Sequence, residues 1–304
     1  VTIAEVPTTR LPAADAPLPA YESYSSMSTY EACPRRYAFR YVERLPGEVS
    51  PGQFAFGNAI HKAFEIFIRQ RIRVRAEDAP EPGLEVLQRA CEQVLERAGL
   101  EPEELAGTRV RAGPVLARFL EREASSLSTP VAAELGFGVD VAVAAEVAAE
   151  APAEVPAEAP AEVPAEAPAE TSTFRFVGYV DRVDRAPDGS TEVLDYKTGR
   201  ARGQVDVDAD RQLTAYAYAC ARGALRDPRT GETLPPASRL CLYFADSGME
   251  VSTGRTPEQL AAFERDLAAM AGRARRREFD PRPGSWRCRW CEYRNLCPDA
   301  RRDG

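Results

Sequence analysis

Apolar residues in this chain fall into strand-like and helix-like stretches that alternate along its length. Val131–Val143, Phe174–Asp184, Thr191–Lys197 and Leu240–Phe244 read as strands, rich in β-branched residues and closed by turn signals such as Asp246-Ser247-Gly248. Helical spacing marks Met27–Leu45, Asn58–Arg73, Gly83–Ala98, Pro114–Ser126, Arg211–Ala221 and Thr256–Arg277. The expected fold class is therefore α/β, a small mixed sheet flanked by helices.

The turn cluster Ala186-Pro187-Asp188-Gly189 joins the second and third strands into a hairpin. Centred on Asp188, that hairpin places Asp181 opposite Asp195, with Cβ atoms about 5 Å apart. Alternation puts Asp195 and Lys197 on one face and Leu194 and Tyr196 on the other. Two opposed carboxylates repel unless a cation neutralises them, so this register predicts a site for Mg²⁺ or Mn²⁺. Lys197 would serve the attacking water and the charge that develops on a phosphate. The plainer alternative is a solvated hairpin, and a turn slipped by one residue would put the aspartates on opposite faces.

Cys288, Cys291 and Cys297 stand in a C-x2-C-x5-C arrangement, with Cys33 near the other end of the chain. The cysteine count is odd, at seven, and no signal peptide is recognised, which speaks against a disulfide framework. Four thiolates suit zinc or an iron–sulfur cluster. Cys91, Cys220 and Cys241 lie in apolar or helical surroundings and read as ordinary buried thiols.

Taken in order, the blocks SSMSTYEACPRRY from Ser25, GNAIH from Gly57, GYVDRVD from Gly178, DYKT from Asp195, QLTAY from Gln212 and the three terminal cysteines resemble the RecB-like branch of the PD-(D/E)xK nucleases. They are most similar to the subset with a [4Fe-4S] cluster, which includes AddB-type nuclease domains and CRISPR-adaptation nucleases. The resemblance implies a restriction-endonuclease-like core. It makes His61, Asp181 and Asp195 metal ligands, Lys197 the catalytic lysine, and Gln212 and Tyr216 a pair that helps position DNA. It also makes Cys33, Cys288, Cys291 and Cys297 the cluster ligands, with Glu134 as a looser match to an upstream acidic residue. His61 is the chain's one histidine and falls beside the apolar residues Ile60, Phe64, Phe67 and Ile68. A cluster shared by Cys33 and Cys288 would clip the two ends of the chain together, contributing roughly 5 kcal/mol by analogy with a disulfide.

Composition sets the surroundings. Residues 1–20 read as a disordered tail and 21–304 as a single nuclease domain, with 281–304 as its cluster-binding segment. The Pro/Ala/Glu tract at 145–170 reads as an extended insertion between strands. The tract and its flank carry seven glutamates without a basic residue, and without them the net charge of −8 nearly vanishes. Basic residues gather instead at Arg35, Arg36 and Arg40 and at Arg273, Arg275, Arg276 and Arg277, patches suited to phosphates. The expected DNA path runs between these patches and the hairpin, with Trp286 and Trp290 packed around the cluster in preference to stacking on bases. No apolar run is long enough to span a bilayer, so the expectation is a cytoplasmic protein without a membrane partner.

No phosphate-binding GxxxxGK[ST] loop occurs, so any unwinding would come from a partner helicase. The expected function is a metal-dependent DNA exonuclease acting on ends or single strands in recombinational repair. A CRISPR-adaptation nuclease, a DNA-binding helicase partner with secondary catalysis, and a zinc-stabilised interaction module are the alternatives.

Overall fold

The structure is a computed structural model that describes residues 16–48, 52, 54–143 and 172–300. The tract at 145–170 and most of the tail at 1–20 lie outside the described residues. Six strands form one mixed sheet: β1 (Tyr21–Ser23), β2 (Thr129–Val143), β3 (Ser172–Arg185), β4 (Thr191–Lys197), β5 (Ala237–Phe244) and β6 (Met249–Thr253). β3 is its axis. One edge of β3 pairs antiparallel with β2 from end to end, while the other is shared between two strands. β1 runs parallel beside Arg175–Val177, and β4 runs antiparallel beside Arg182–Arg185. Between these two, among the described residues, Gly178–Asp181 have no ladder partner on that edge. β5 then joins β4 in parallel, and β6 joins β5 as an antiparallel hairpin strand.

The β3–β4 turn has the expected centre. Ala186 N–H donates to the Ser190 carbonyl, and Gly189, at φ +85°, supplies the left-handed residue that closes a three-residue hairpin loop. The pairs Arg182–Leu194 and Val183–Val193, extended by one position, bring Asp181 opposite Asp195.

Nine α-helices cover the sheet among the described residues: α1 (Tyr24–Ala32), α2 (Pro34–Tyr37), α3 (Ala55–Ala76), α4 (Leu84–Leu95), α5 (Pro102–Ser125), α6 (Gln204–Asp208), α7 (Arg211–Ala221), α8 (Pro257–Arg275) and α9 (Ser285–Arg289). One apolar layer gathers α7 and α8 residues, such as Leu213, Phe263 and Leu267, over β2, β3 and β5. The other gathers α3, α4 and α5 around Tyr196 and Tyr243, with Phe64 stacked on Phe119 at 3.7 Å between ring centroids. None of the described helices is long and apolar enough to cross a membrane.

A buried ionic network ties the second layer to the sheet. Arg182 of β3 is fully buried and donates to Glu123 of α5 at 2.5 Å and to Asp184 at 2.6 Å. Arg71 of α3 pairs with the same Glu123, and Arg122 extends the network to Glu250 of β6. Burial alone would raise the Glu123 carboxyl; the charges of Arg182, Arg122 and Arg71 outweigh it and hold it below its ordinary range.

Several elements differ from their expected extents. The helix expected over Met27–Leu45 breaks at Cys33, whose φ of −162° and ψ of 111° are extended, and resumes at Pro34 before a π-helical turn at Ala38–Val42. Proline disfavours helical backbone in the residue before it, and the break turns Cys33 out of the helical row. α5 starts at Pro102 and runs through Pro114 instead of starting there; Pro114 lies on the exposed side. Of the expected tail, Ala16 and Leu18 pack against the core, and Ala16 accepts a bond from Arg277.

The two ends of the described chain meet. Tyr293 donates to the Leu45 carbonyl at 3.0 Å, Glu48 N–H to the Glu292 carbonyl at 2.9 Å, and Arg35 pairs with Asp299 at 2.9 Å. The expected phosphate patches are largely engaged in such contacts. Arg36 and Arg40 pair with Glu292, Arg275 donates to Ser172 and Thr173, and Arg273 lies over the Tyr30 ring.

Candidate active site

β3, β4, α3 and α7 converge where β3 loses its partner on one edge. Asp210 precedes α7, and its side chain accepts from the Gln212 and Leu213 N–H groups and caps the helix. That cap sets Gln212 and Tyr216 on one face over β4. Four side chains there close a ring. Lys197 Nζ lies 2.6 Å from Asp195 Oδ2 and donates to Gln212 Oε1 at 2.7 Å. Gln212 Nε2 donates to the Tyr216 hydroxyl at 2.7 Å, and that hydroxyl donates to Asp195 Oδ1 at 3.0 Å. The Gln212 orientation follows from its partners, because an ammonium can only donate. Burial would lower Lys197, but the Asp195 charge outweighs it and raises the lysine, which therefore stays an ammonium. Burial and the Asp195 and Asp181 charges push Tyr216 well up, so it remains a donor.

Beside the ring lies a second group. His61 of α3, Glu134 of β2 and Asp181 of β3 each offer one ligand atom, all within 4.8 Å of one another; His61 Nδ1 is 3.4 Å from Asp181 Oδ2. The β2–β3 register, read through its flanking pairs Ala133–Arg182 and Leu135–Val180, brings Glu134 opposite Asp181. Three strands thus place Glu134, Asp181 and Asp195 in a row. Glu134 holds a left-handed backbone at φ +53°, costly for a residue with a side chain. Asp181 also accepts from the Tyr196 N–H at 2.9 Å, which fixes it to β4 where the ladder ends.

The electrostatics match a cation site. Burial and the Asp195 charge push Asp181 well above the usual carboxylate range, and burial and the Glu65 charge raise Glu134. Burial lowers the His61 imidazole despite the Asp195 charge, favouring the neutral form that can bind a metal. One imidazole and carboxylate oxygens form a donor set that suits Mg²⁺ or Mn²⁺. A divalent ion there would supply Lewis acidity and a bound water of lowered pKa. The chain's own contribution is a fixed ammonium beside it, held in place by Asp195 and Gln212.

The sequence placed Asp181, Asp195, Lys197, Gln212 and Tyr216 together, and the structure does too. Within the metal group, Glu134 stands beside His61 and Asp181, while Asp195 bonds to Lys197 and Tyr216. Gln212 and Tyr216 contact the lysine and the aspartate directly, beyond any part in positioning DNA. The network around Arg182 and Glu123 was not anticipated.

Cys33, Cys288, Cys291 and Cys297 line one cavity of about 210 Å³. Arg282 N–H donates to Cys33 Sγ at 3.5 Å, and burial pushes the Cys291 thiol to about 11. Among the described residues no three of these sulfurs fall within 4.8 Å of one another. Trp286 and Trp290 border this cavity but are 72% and 65% exposed, so they are not packed away around it as expected. Cys91, Cys220 and Cys241 are buried, each pushed to about 11.

A family model of the PD-(D/E)XK nuclease superfamily matches residues 22–298, spanning both constellations. The chain belongs to this superfamily. Members are nucleases that use divalent metals, which accords with the carboxylate row of this PD-(D/E)XK chain. No curated protein matches it significantly. A solved chain titled "Crystal structure of SSO0001" is similar at 15% identity and a TM-score of 0.35, over 81% of this chain and 95% of that one. So low a score adds nothing to the family match.

Proposed function

We propose that the protein is a Mg²⁺- or Mn²⁺-dependent deoxyribonuclease that degrades DNA as an exonuclease, from ends or along single strands, in recombinational repair. The observation that carries this reading is the closed ring of Asp195, Lys197, Gln212 and Tyr216 set against His61, Glu134 and Asp181. His61, Asp181 and Asp195 hold the metal, with Glu134 joining them. The Lys197 ammonium orients the attacking water and offsets charge on the scissile phosphate. A DNA-binding partner without catalysis would have no chemical need for a lysine fixed between a carboxylate and an amide.

Cys33, Cys288, Cys291 and Cys297 hold a [4Fe-4S] cluster in this reading, as a staple and not as a redox catalyst. Support comes from the cavity that all four line.

The test is a nuclease assay on end-labelled single- and double-stranded DNA with Mg²⁺ or Mn²⁺, comparing the wild type with Asp195→Ala. Loss of cleavage in the variant is expected; equal degradation by both proteins would remove the mechanism.

A further inference from the structure

Next to the carboxylate row, β2 and β3 carry a second depression, of about 820 Å³, that the chemistry above does not use. Gly136, Gly138 and Gly178 line it. These glycines make room for side chains that lie across the strands. A Cβ on Gly136 would stand 3.2 Å from the Tyr179 ring, and one on Gly138 would strike the Arg175 guanidinium at 2.5 to 2.8 Å. Tyr179 therefore rests against the neighbouring strand, yet it is 66% exposed. A ring braced by backbone on one side and open on the other is a preformed stacking surface.

Charge in the depression is positive. Arg175, Arg222 and Arg226 line it against one carboxylate, Asp140, which pairs with Arg175 at 2.9 Å. Arg226 donates to an uncharged partner, the Gly231 carbonyl, at 3.1 Å, and Glu264 stands 3.8 Å from Arg222. The depression also lies on the two strands that carry Glu134 and Asp181. Tyr179 precedes Asp181 by two residues and Gly136 follows Glu134 by two, a separation of about 7 Å along each strand.

We propose that this groove binds single-stranded DNA on its way to the carboxylates, with one nucleobase stacked on Tyr179 and flanking phosphates held by Arg222 and Arg226. Paired bases are stacked inside a duplex and cannot offer a face to the ring, so the groove selects unpaired nucleotides. The proposal rests on the nuclease reading and adds to it the form of the substrate and the side from which it arrives.

The test measures fluorescence anisotropy of the full chain, in EDTA, with a labelled oligothymidine of about 15 nucleotides and the same strand carrying abasic positions. The wild type is expected to favour the base-bearing strand by about 5- to 100-fold, the worth of one stacked base. Tyr179→Ala should lose that preference, Tyr179→Phe should keep it, and Arg226→Ala should flatten the salt dependence by about one counterion on both strands. A Tyr179→Ala protein that still prefers the base-bearing strand as the wild type does, or that loses affinity equally for both strands, overturns the proposal. Asp195→Ala separates the two readings: it should bind like the wild type and fail to cleave. Cleavage by that variant would sink the nuclease reading and leave the groove's binding result standing.

Discussion

Lys197 donates a 2.7 Å hydrogen bond to Gln212 Oε1, so the ammonium in the carboxylate row is aimed by a helix as well as by Asp195 of its own strand. Gln212→Ala should leave the fold intact and lower kcat by about 10²-fold with little change in KM, because a misplaced charge costs transition-state stabilisation more than binding. Lys197→Met should cost more, about 10³-fold. Single-turnover cleavage measures both, and a Gln212→Ala enzyme as fast as the wild type would refute the positioning role.

Glu134 and Asp181 repel one another without a cation between them. Glu134→Gln should raise the Mg²⁺ concentration for half-maximal activity by about tenfold. Without metal, the same variant should melt higher than the wild type, because one of the crowded charges is gone. Melting curves in EDTA and in Mg²⁺ should therefore rank the two proteins in opposite orders.

Glu123 collects three arginines in the protein interior. Glu123→Gln should cost about 3–5 kcal/mol in urea denaturation, since those charges would lose their shared partner. The pH dependence has a definite sign. Glu123 titrates below its unfolded value, so its stabilisation is present above the ordinary glutamate pKa and disappears as pH falls through the folded one. The acid limb of the stability curve should flatten in the variant.

Cys297→Ala should remove iron and brown colour from anaerobically purified protein and lower solubility and melting temperature before it affects cleavage. An unchanged melting temperature would argue against a structural staple.

Much of this architecture was legible in the sequence. The hairpin register was one of two that the turn cluster allowed, and the structure adopts the one centred on Asp188, in which the two aspartates oppose. α7 was legible from its first residue to its last. Glu134 was harder, since one acidic residue in an apolar strand gives no periodic signal and its left-handed backbone is invisible without coordinates. Glu123 left a trace that was missed: it falls four positions after Phe119 and seven after Leu116, squarely on the apolar stripe of α5. Arg182 sits between Val180 and Asp184 at the inward parity of β3, where a charge demands a buried partner. The length of α5 was misread because Pro114 looks like a helix start, and only the exposure of its face shows why the helix tolerates it.

The meeting of the chain's two ends sets an order of events during synthesis. Tyr30, Arg35, Leu45 and Glu48 find their partners in residues 278–299, so the first helices emerge from the ribosome long before anything exists to close over them. Contacts of such long range form late and slow the final step of folding. Completion of the fold is thus postponed until nearly all of the described chain has been made, and a prematurely terminated copy would lack the C-terminal contacts to α1 and α2.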